Sequence, residues 1–171
     1  MAVPCLGSEF WIYKDRASRE NHYIPSGWMG DTESLKVTKL IDSMRIEYST
    51  YPVKERWVGI YWQHPANNFG NKKGGYNLTG YKILKFKVRG EKGNEFIDQF
   101  FIGGIPASIM EGDSDNAYIE RIVLTKEWQE FSIDLSKLDL SHIIGGFGFS
   151  ANIDVNPNGI IFYLKEIRLE K

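Results

Sequence analysis

Trp57-Val58-Gly59-Ile60-Tyr61-Trp62-Gln63-His64-Pro65-Ala66-Asn67-Asn68-Phe69-Gly70 opens as an alternating run of large β-forming side chains and breaks at Pro65. It continues as a loop of amides with one more aromatic before Gly70. Alternation puts Trp57, Gly59 and Tyr61 on one face of a strand and Val58, Ile60 and Trp62 on the other. A strand in a layered β fold must bury one of those faces. The other face and the following loop carry rings and amide groups to a rim. That pairing suits a sugar, whose ring hydrogens stack on an aromatic plane while its hydroxyls seek donors and acceptors.

Outward from this stretch the same two-residue period recurs. Residues 81–89 set Leu84, Phe86 and Val88 against Lys85, Lys87 and Arg89, with Ile83 out of phase. Residues 90–94 form a hairpin turn, and 95–102 return as a strand before Gly103 and Gly104. Upstream, 10–13, 36–41 and 43–49 read as strands, the last alternating Met44, Ile46 and Tyr48 with Arg45, Glu47 and Ser49. Downstream, 118–125, 128–134, 143–150 and 159–170 complete the set. Phe162 and Leu164 fall out of phase with Ile167 and Leu169, which predicts a β-bulge at Lys165-Glu166. Residues 16–31, with Pro25, Gly27 and Gly30, carry too many breakers for a strand and read as a long ordered loop; 106–117 reads as a second. Residues 135–140 hold at most one helical turn. About nine or ten short strands with Gly, Pro and Asn punctuation predict an all-β, antiparallel two-sheet β-sandwich or a barrel.

The 171 residues, 42% of them hydrophobic, suffice for one domain with a real core, expected over 9–171. Residues 1–8 are set apart as a disordered or cloning-derived segment. They show no charged start followed by an apolar run, so a secretory signal is expected to be absent or already removed. The 21 basic and 22 acidic side chains nearly cancel, and no Lys/Arg run is present, so nucleic acid is not an expected partner. No apolar stretch approaches the ~20 residues of a membrane helix. Cys5 is the only cysteine, which excludes an internal disulfide and a cysteine-based zinc site.

No nucleophile elbow, zinc-protease helix or phosphate loop occurs. His22, His64 and His142 are scattered, and a pair such as Glu91 with Glu95 would sit within one hairpin rather than across a cleft. The chain is therefore not expected to be an enzyme. Oxygen-rich positions suit Ca²⁺, with candidates Asp15 and Asp31 around the long loop and Glu166 at the predicted bulge. The sequon Asn77-Leu78-Thr79 reads as chance.

An ordered set of motifs carries a resemblance: Tyr13-Lys14-Asp15, residues 21–31, Gly59-Ile60-Tyr61-Trp62-Gln63 with Pro65 and Asn67-Asn68-Phe69-Gly70, Arg89-Gly90-Glu91-Lys92-Gly93, Gly145-Gly146-Phe147-Gly148, and Phe162-Tyr163-Leu164-Lys165-Glu166-Ile167. The chain resembles bacterial non-catalytic carbohydrate-binding modules of the galactose-binding-like jelly-roll class over nearly all of residues 10–170. The resemblance implies a two-sheet jelly roll and a structural Ca²⁺ near the first and last strands. It also implies a poly- or oligosaccharide site on the concave sheet or loop rim, and an extracellular or periplasmic setting as part of a larger secreted enzyme or surface protein. Relatives commonly read Leu-Asp-Asp-Ile where this chain has Leu164-Lys165-Glu166-Ile167, and Trp where it has Phe69. The stacking planes expected are Trp28, Trp62 and Phe69, with Gln63, Asn67, Asn68, Arg89 and Glu91 as hydroxyl partners. The rival reading is a protein-interaction or scaffold domain whose exposed rings face another chain, and a third is a hydrolase or lyase.

Overall fold

Which face of the Trp57 stretch is buried depends on what packs against it. The computed structural model describes residues 8–171; residues 1–7 of the expected N-terminal segment lie outside the described residues. The described strands are β1 Glu9–Tyr13, β2 Ile24–Gly30, β3 Leu35–Lys39, β4 Met44–Tyr48, β5 Trp57–Gln63, β6 Ile83–Gly90, β7 Phe96–Gly103, β8 Asn116–Val123, β9 Gln129–Asp134, β10 Gly145–Asn152 and β11 Ile160–Glu170. They form two antiparallel sheets. One runs β3-β4-β11-β6-β9, with β1 also paired to β11, and the other runs β2-β5-β10-β7-β8. The result is the all-β sandwich expected. Apart from the consecutive pairs β3-β4 and β7-β8, neighbours in each sheet come from distant parts of the chain, as in a jelly roll.

The core lies between the sheets and is built from the predicted alternations. β5 turns Val58, Ile60 and Trp62 inward, β6 Leu84, Phe86 and Val88, β4 Met44, Ile46 and Tyr48, and β10 Phe147, Phe149 and Ala151. Phe86 meets Phe100 of the facing sheet at 4.7 Å between ring centroids, and Phe149 meets Phe162 at 5.0 Å. Trp62 is fully buried, edge-on to Phe147 at 5.1 Å. This corrects the expectation of Trp62 as a stacking plane: its ring faces the second sheet, not solvent.

Residues 24–30 are a strand, not the loop expected. β2 is the edge of the five-stranded sheet, and an edge strand pairs on one side only, so the N–H that Pro25 lacks is not needed by a second ladder. The register slips between Pro25 and Gly27, and a side chain at Gly27 would meet the Gln63 amide at 2.7 Å. The predicted bulge is present: the β11–β6 register shifts between Lys165 and Arg168, with Glu166 at φ 52.

Candidate functional site

With Val58, Ile60 and Trp62 committed to the core, β5 turns Trp57, Gly59 and Tyr61 to the outer face of its sheet. Register carries that face across the strands. Tyr61 pairs with Gly148, Gly148 with Phe101, and Phe101 with Tyr118, so three rings and a glycine form one row from β5 to β8. The next row reads Met29, Gly59, Ser150, Gln99 and Glu120. Beyond it, Trp57 pairs with Asn152, whose Nδ2 donates to Asp98 Oδ1 at 2.7 Å.

Glycines decide how these rings lie. A Cβ on Gly148 would fall 2.1 Å from Phe101 Cε2, so the ring occupies the space a side chain would take. It meets Tyr61 at 4.8 Å and 64°. At Gly59 a Cβ would meet the Met29 methyl at 3.0 Å and the Trp57 ring at 3.2 Å. Rings and thioether therefore lie along the sheet instead of standing off it. Tyr118 is 55% exposed and Trp57 37%. The Tyr61 hydroxyl donates to the Gly103 carbonyl at 3.0 Å, and burial, then the Asp113 carboxylate, push its pKa up to about 12. It stays a neutral donor.

The polar row is open for bonding. Among the described residues neither the Gln99 amide nor the Ser150 hydroxyl has a protein hydrogen-bond partner. Burial raises the Asp98 pKa, partly offset by the Asn152 amide. At one end of the face, Asp113 ties loop 104–115 to β10, accepting from the Ile105, Ile144 and Gly145 N–H groups. His142 sets Nδ1 2.7 Å from the Gly112 carbonyl and Nε2 2.9 Å from that of Gly74, bridging this loop to the one before it.

The site residues expected from sequence are dispersed over three places. Trp62, Gln63 and Asn68 are interior. Gln63 donates to the Asn68 carbonyl and accepts from Ser26 Oγ, while Asn68 donates to the His64 and Lys72 carbonyls and accepts from the Gly70 and Lys72 N–H groups. Their amides are consumed in shaping the loop, which corrects their assignment as hydroxyl partners. Trp28, Asn67 and Phe69 are on the surface, with Trp28 38% and Phe69 40% exposed. Trp28 pairs with Ile60, so it belongs to an inward row at the sheet edge, and its Nε1 donates to the Pro25 carbonyl. Arg89 and Glu91 belong to the other sheet: Arg89 lies over Tyr163, whose hydroxyl donates to Glu91. Phe101, Tyr118, Gln99, Ser150 and Asp98, which the fold places together on the outer face, are not among the residues expected from sequence. The available signal was Gly59 and Gly148 recurring on one face between strands rich in rings.

The metal candidates do not converge. Asp31 Oδ1 accepts the Lys54 and Glu55 N–H groups, and Oδ2 accepts Arg56 N–H and the Tyr48 hydroxyl. Donors surround that carboxylate where a cation would need it bare. Asp15 Oδ1 accepts Ala17 N–H within its own turn, and Glu166 pairs with Lys87 at 2.7 Å. Among the described residues no group of three or more His, Cys, Asp or Glu is placed to hold a metal ion. These residues do not fit the calcium that the resemblance implied, so Asp15, Asp31 and Glu166 are corrected as a shared site.

Asp31 is instead a buried anchor. Burial pushes its pKa up, but the Glu55 N–H, the Tyr48 hydroxyl and the Lys54 and Arg56 N–H groups outweigh that and hold it below 3.8. A depressed carboxyl stabilises the fold fully above its unfolded value, and the contribution is lost as pH falls through the folded one. Asp31→Asn is expected to lower stability by about 2 kcal/mol near neutral pH, because an amide nitrogen then faces N–H donors. Urea unfolding of the variant should also show a shallower acid loss than wild type below pH 3.8. Equal acid slopes would show that Asp31 is not the anchor.

A cleft of about 360 Å³ lies elsewhere, among the turns around Ser49, Gly93 and Pro157. Tyr48 is its one aromatic lining residue, and the Tyr48 hydroxyl is committed to Asp31. It has no row of rings like that of the outer face.

No family model matches the chain, and no curated protein matches it in sequence. Solved structures do. The chain is similar to a family 30 carbohydrate-binding module at TM-score 0.64 and 15% identity, over 95% of this chain and 98% of that one. It is similar to the family 30 module of a cellulosomal cellulase of Clostridium thermocellum at TM-score 0.58 and 15% identity, over 95% and 97%. A family 29 module variant complexed with cellulohexaose matches at TM-score 0.57 and 14% identity, over 94% and 89%. At such identities the shared property is the fold, and it is the architecture that the sequence resemblance implied.

Proposed function

We propose that the chain is a non-catalytic carbohydrate-binding module that holds an extended glycan across the strands of its five-stranded sheet. The observation that carries this reading is the row Tyr61, Phe101 and Tyr118, laid along the sheet beside the polar row Ser150, Gln99 and Glu120. Rings in that posture cover sugar C–H faces, and the adjacent amide, hydroxyl and carboxylate meet the hydroxyls at the sugar edge. The fold shared with carbohydrate-binding modules, one of them complexed with cellulohexaose, supports the same reading. A secreted setting, and attachment to a polysaccharide-degrading enzyme, belong to this proposal as its biological context.

An open site of this kind exchanges water hydrogen bonds for sugar ones and gains chiefly from stacking, so modest affinity is expected. Affinity electrophoresis against plant, algal and microbial polysaccharides, followed by calorimetry with oligosaccharides of the retarding polymer, tests it. Retardation by at least one polymer is expected. Free migration in every gel would refute the proposal.

A further inference from the structure

The opposite sheet carries a second, differently built surface. Most charges on its outer face are paired: Lys85 with Glu170 at 2.7 Å, Lys87 with Glu166 at 2.7 Å, Arg45 with Glu47 at 2.7 Å, and Arg168 with Glu130 and Glu170 at 3.1 Å each. Arg89 and Lys165 are not. Among the described residues neither has a carboxylate within 4.0 Å. Both instead converge on Trp128, with Lys165 Nζ 4.3 Å and Arg89 Cζ 5.4 Å from its ring centroid. The guanidinium also lies 3.9 Å from the Tyr163 centroid.

A guanidinium resting on a ring directs its N–H groups sideways in its own plane. Of those donors one is used, weakly, by the Gly90 carbonyl at 3.4 Å. The neighbouring carboxylates are engaged elsewhere, Glu91 by the Tyr163 hydroxyl at 2.7 Å and Glu166 by Lys87. Two like charges drawn to one indole repel each other, and an anion shared between them would remove that repulsion while filling the free donors.

We infer that Arg89 and Lys165, backed by Trp128 and Tyr163, form a subsite for one oxyanion, a carboxylate or sulfate, either free or carried on an acidic saccharide. It lies on the sheet opposite the proposed glycan face and does not depend on that proposal. The test follows the indole N–H signal of Trp128 by heteronuclear NMR, assigned from its loss in Trp128→Phe, during titration with sodium sulfate, trigalacturonate and neutral cellulohexaose. Sulfate or trigalacturonate is expected to shift the signal saturably, less so at high salt. Arg89→Gln or Lys165→Gln is expected to weaken that response about tenfold or more, with the rest of the spectrum retained. A response to trigalacturonate well beyond that to sulfate assigns the site to an acidic saccharide, and equal responses assign it to the free ion. No shift with either anion, or an equal shift in the Gln variants or with the neutral sugar, would overturn the inference. A neutral sugar acting at Trp57 alone would leave the oxyanion assignment intact.

Discussion

Tyr118→Ala is expected to weaken oligosaccharide binding by tenfold or more while the melting temperature stays close to that of wild type. The ring is 55% exposed on the edge strand β8, so the folded protein gains little from it. A sugar resting on it would cover much of that area, and burying a large apolar face is worth about 1.5–3 kcal/mol, or a factor of roughly 10–100 in affinity. Trp57→Ala is expected to act in the same direction, with a larger effect on stability because the ring also packs over Gly59. A sharper variant removes no ring at all. In Gly148→Ala the new methyl would lie 2.1 Å from Phe101 Cε2, so the ring must lift off the sheet and break the row between Tyr61 and Tyr118. Calorimetry with the best oligosaccharide, beside thermal unfolding of each variant, separates the two roles. Undiminished affinity in Tyr118→Ala and Trp57→Ala together would remove this face from consideration.

The strands were legible because alternation is local. Leu84, Phe86 and Val88 announce their face within one strand, and the phase break at Glu166 announces its bulge in the same way. β2 was not legible, since Pro25 and Gly27 argue against a strand unless it is known to be an edge. The face proposed to hold the glycan was harder still. Alternation in β5 divides Trp57 and Tyr61 from Trp62 but is silent on which set meets the other sheet. That choice is made by Phe147 and Phe149, which are far away in sequence and adjacent in space. The row Tyr61, Gly148, Phe101 and Tyr118 exists only once β5, β10, β7 and β8 lie in that order, and no local pattern encodes an order that departs from sequence. Amides at a loop were mistaken for ligand groups for a related reason. Asn68 resembles a sugar contact in composition, yet its donors and acceptors close the very loop that carries it.

Trp62 gives the contrast that makes the two faces distinguishable by experiment. Its ring has no solvent exposure and packs edge-on against Phe147 and Phe149. Trp62→Ala would open a large cavity between the sheets, at a cost of about 3–5 kcal/mol. For a chain of this length that corresponds to a fall in melting temperature on the order of 10 °C. Trp62→Phe should be far milder. The indole Nε1 has no acceptor among the described residues, and a buried donor left unpaired is itself unfavourable by roughly 1–3 kcal/mol. Removing it offsets part of the lost packing, leaving a net loss of about 1–2 kcal/mol. Urea unfolding measures both. The fraction of Trp62→Phe that is folded should bind oligosaccharide as wild type does, the reverse of Tyr118→Ala. A Trp62→Phe protein of native stability that no longer binds sugar would mean that this indole touches the ligand, and that the face assigned to the core is the one that binds.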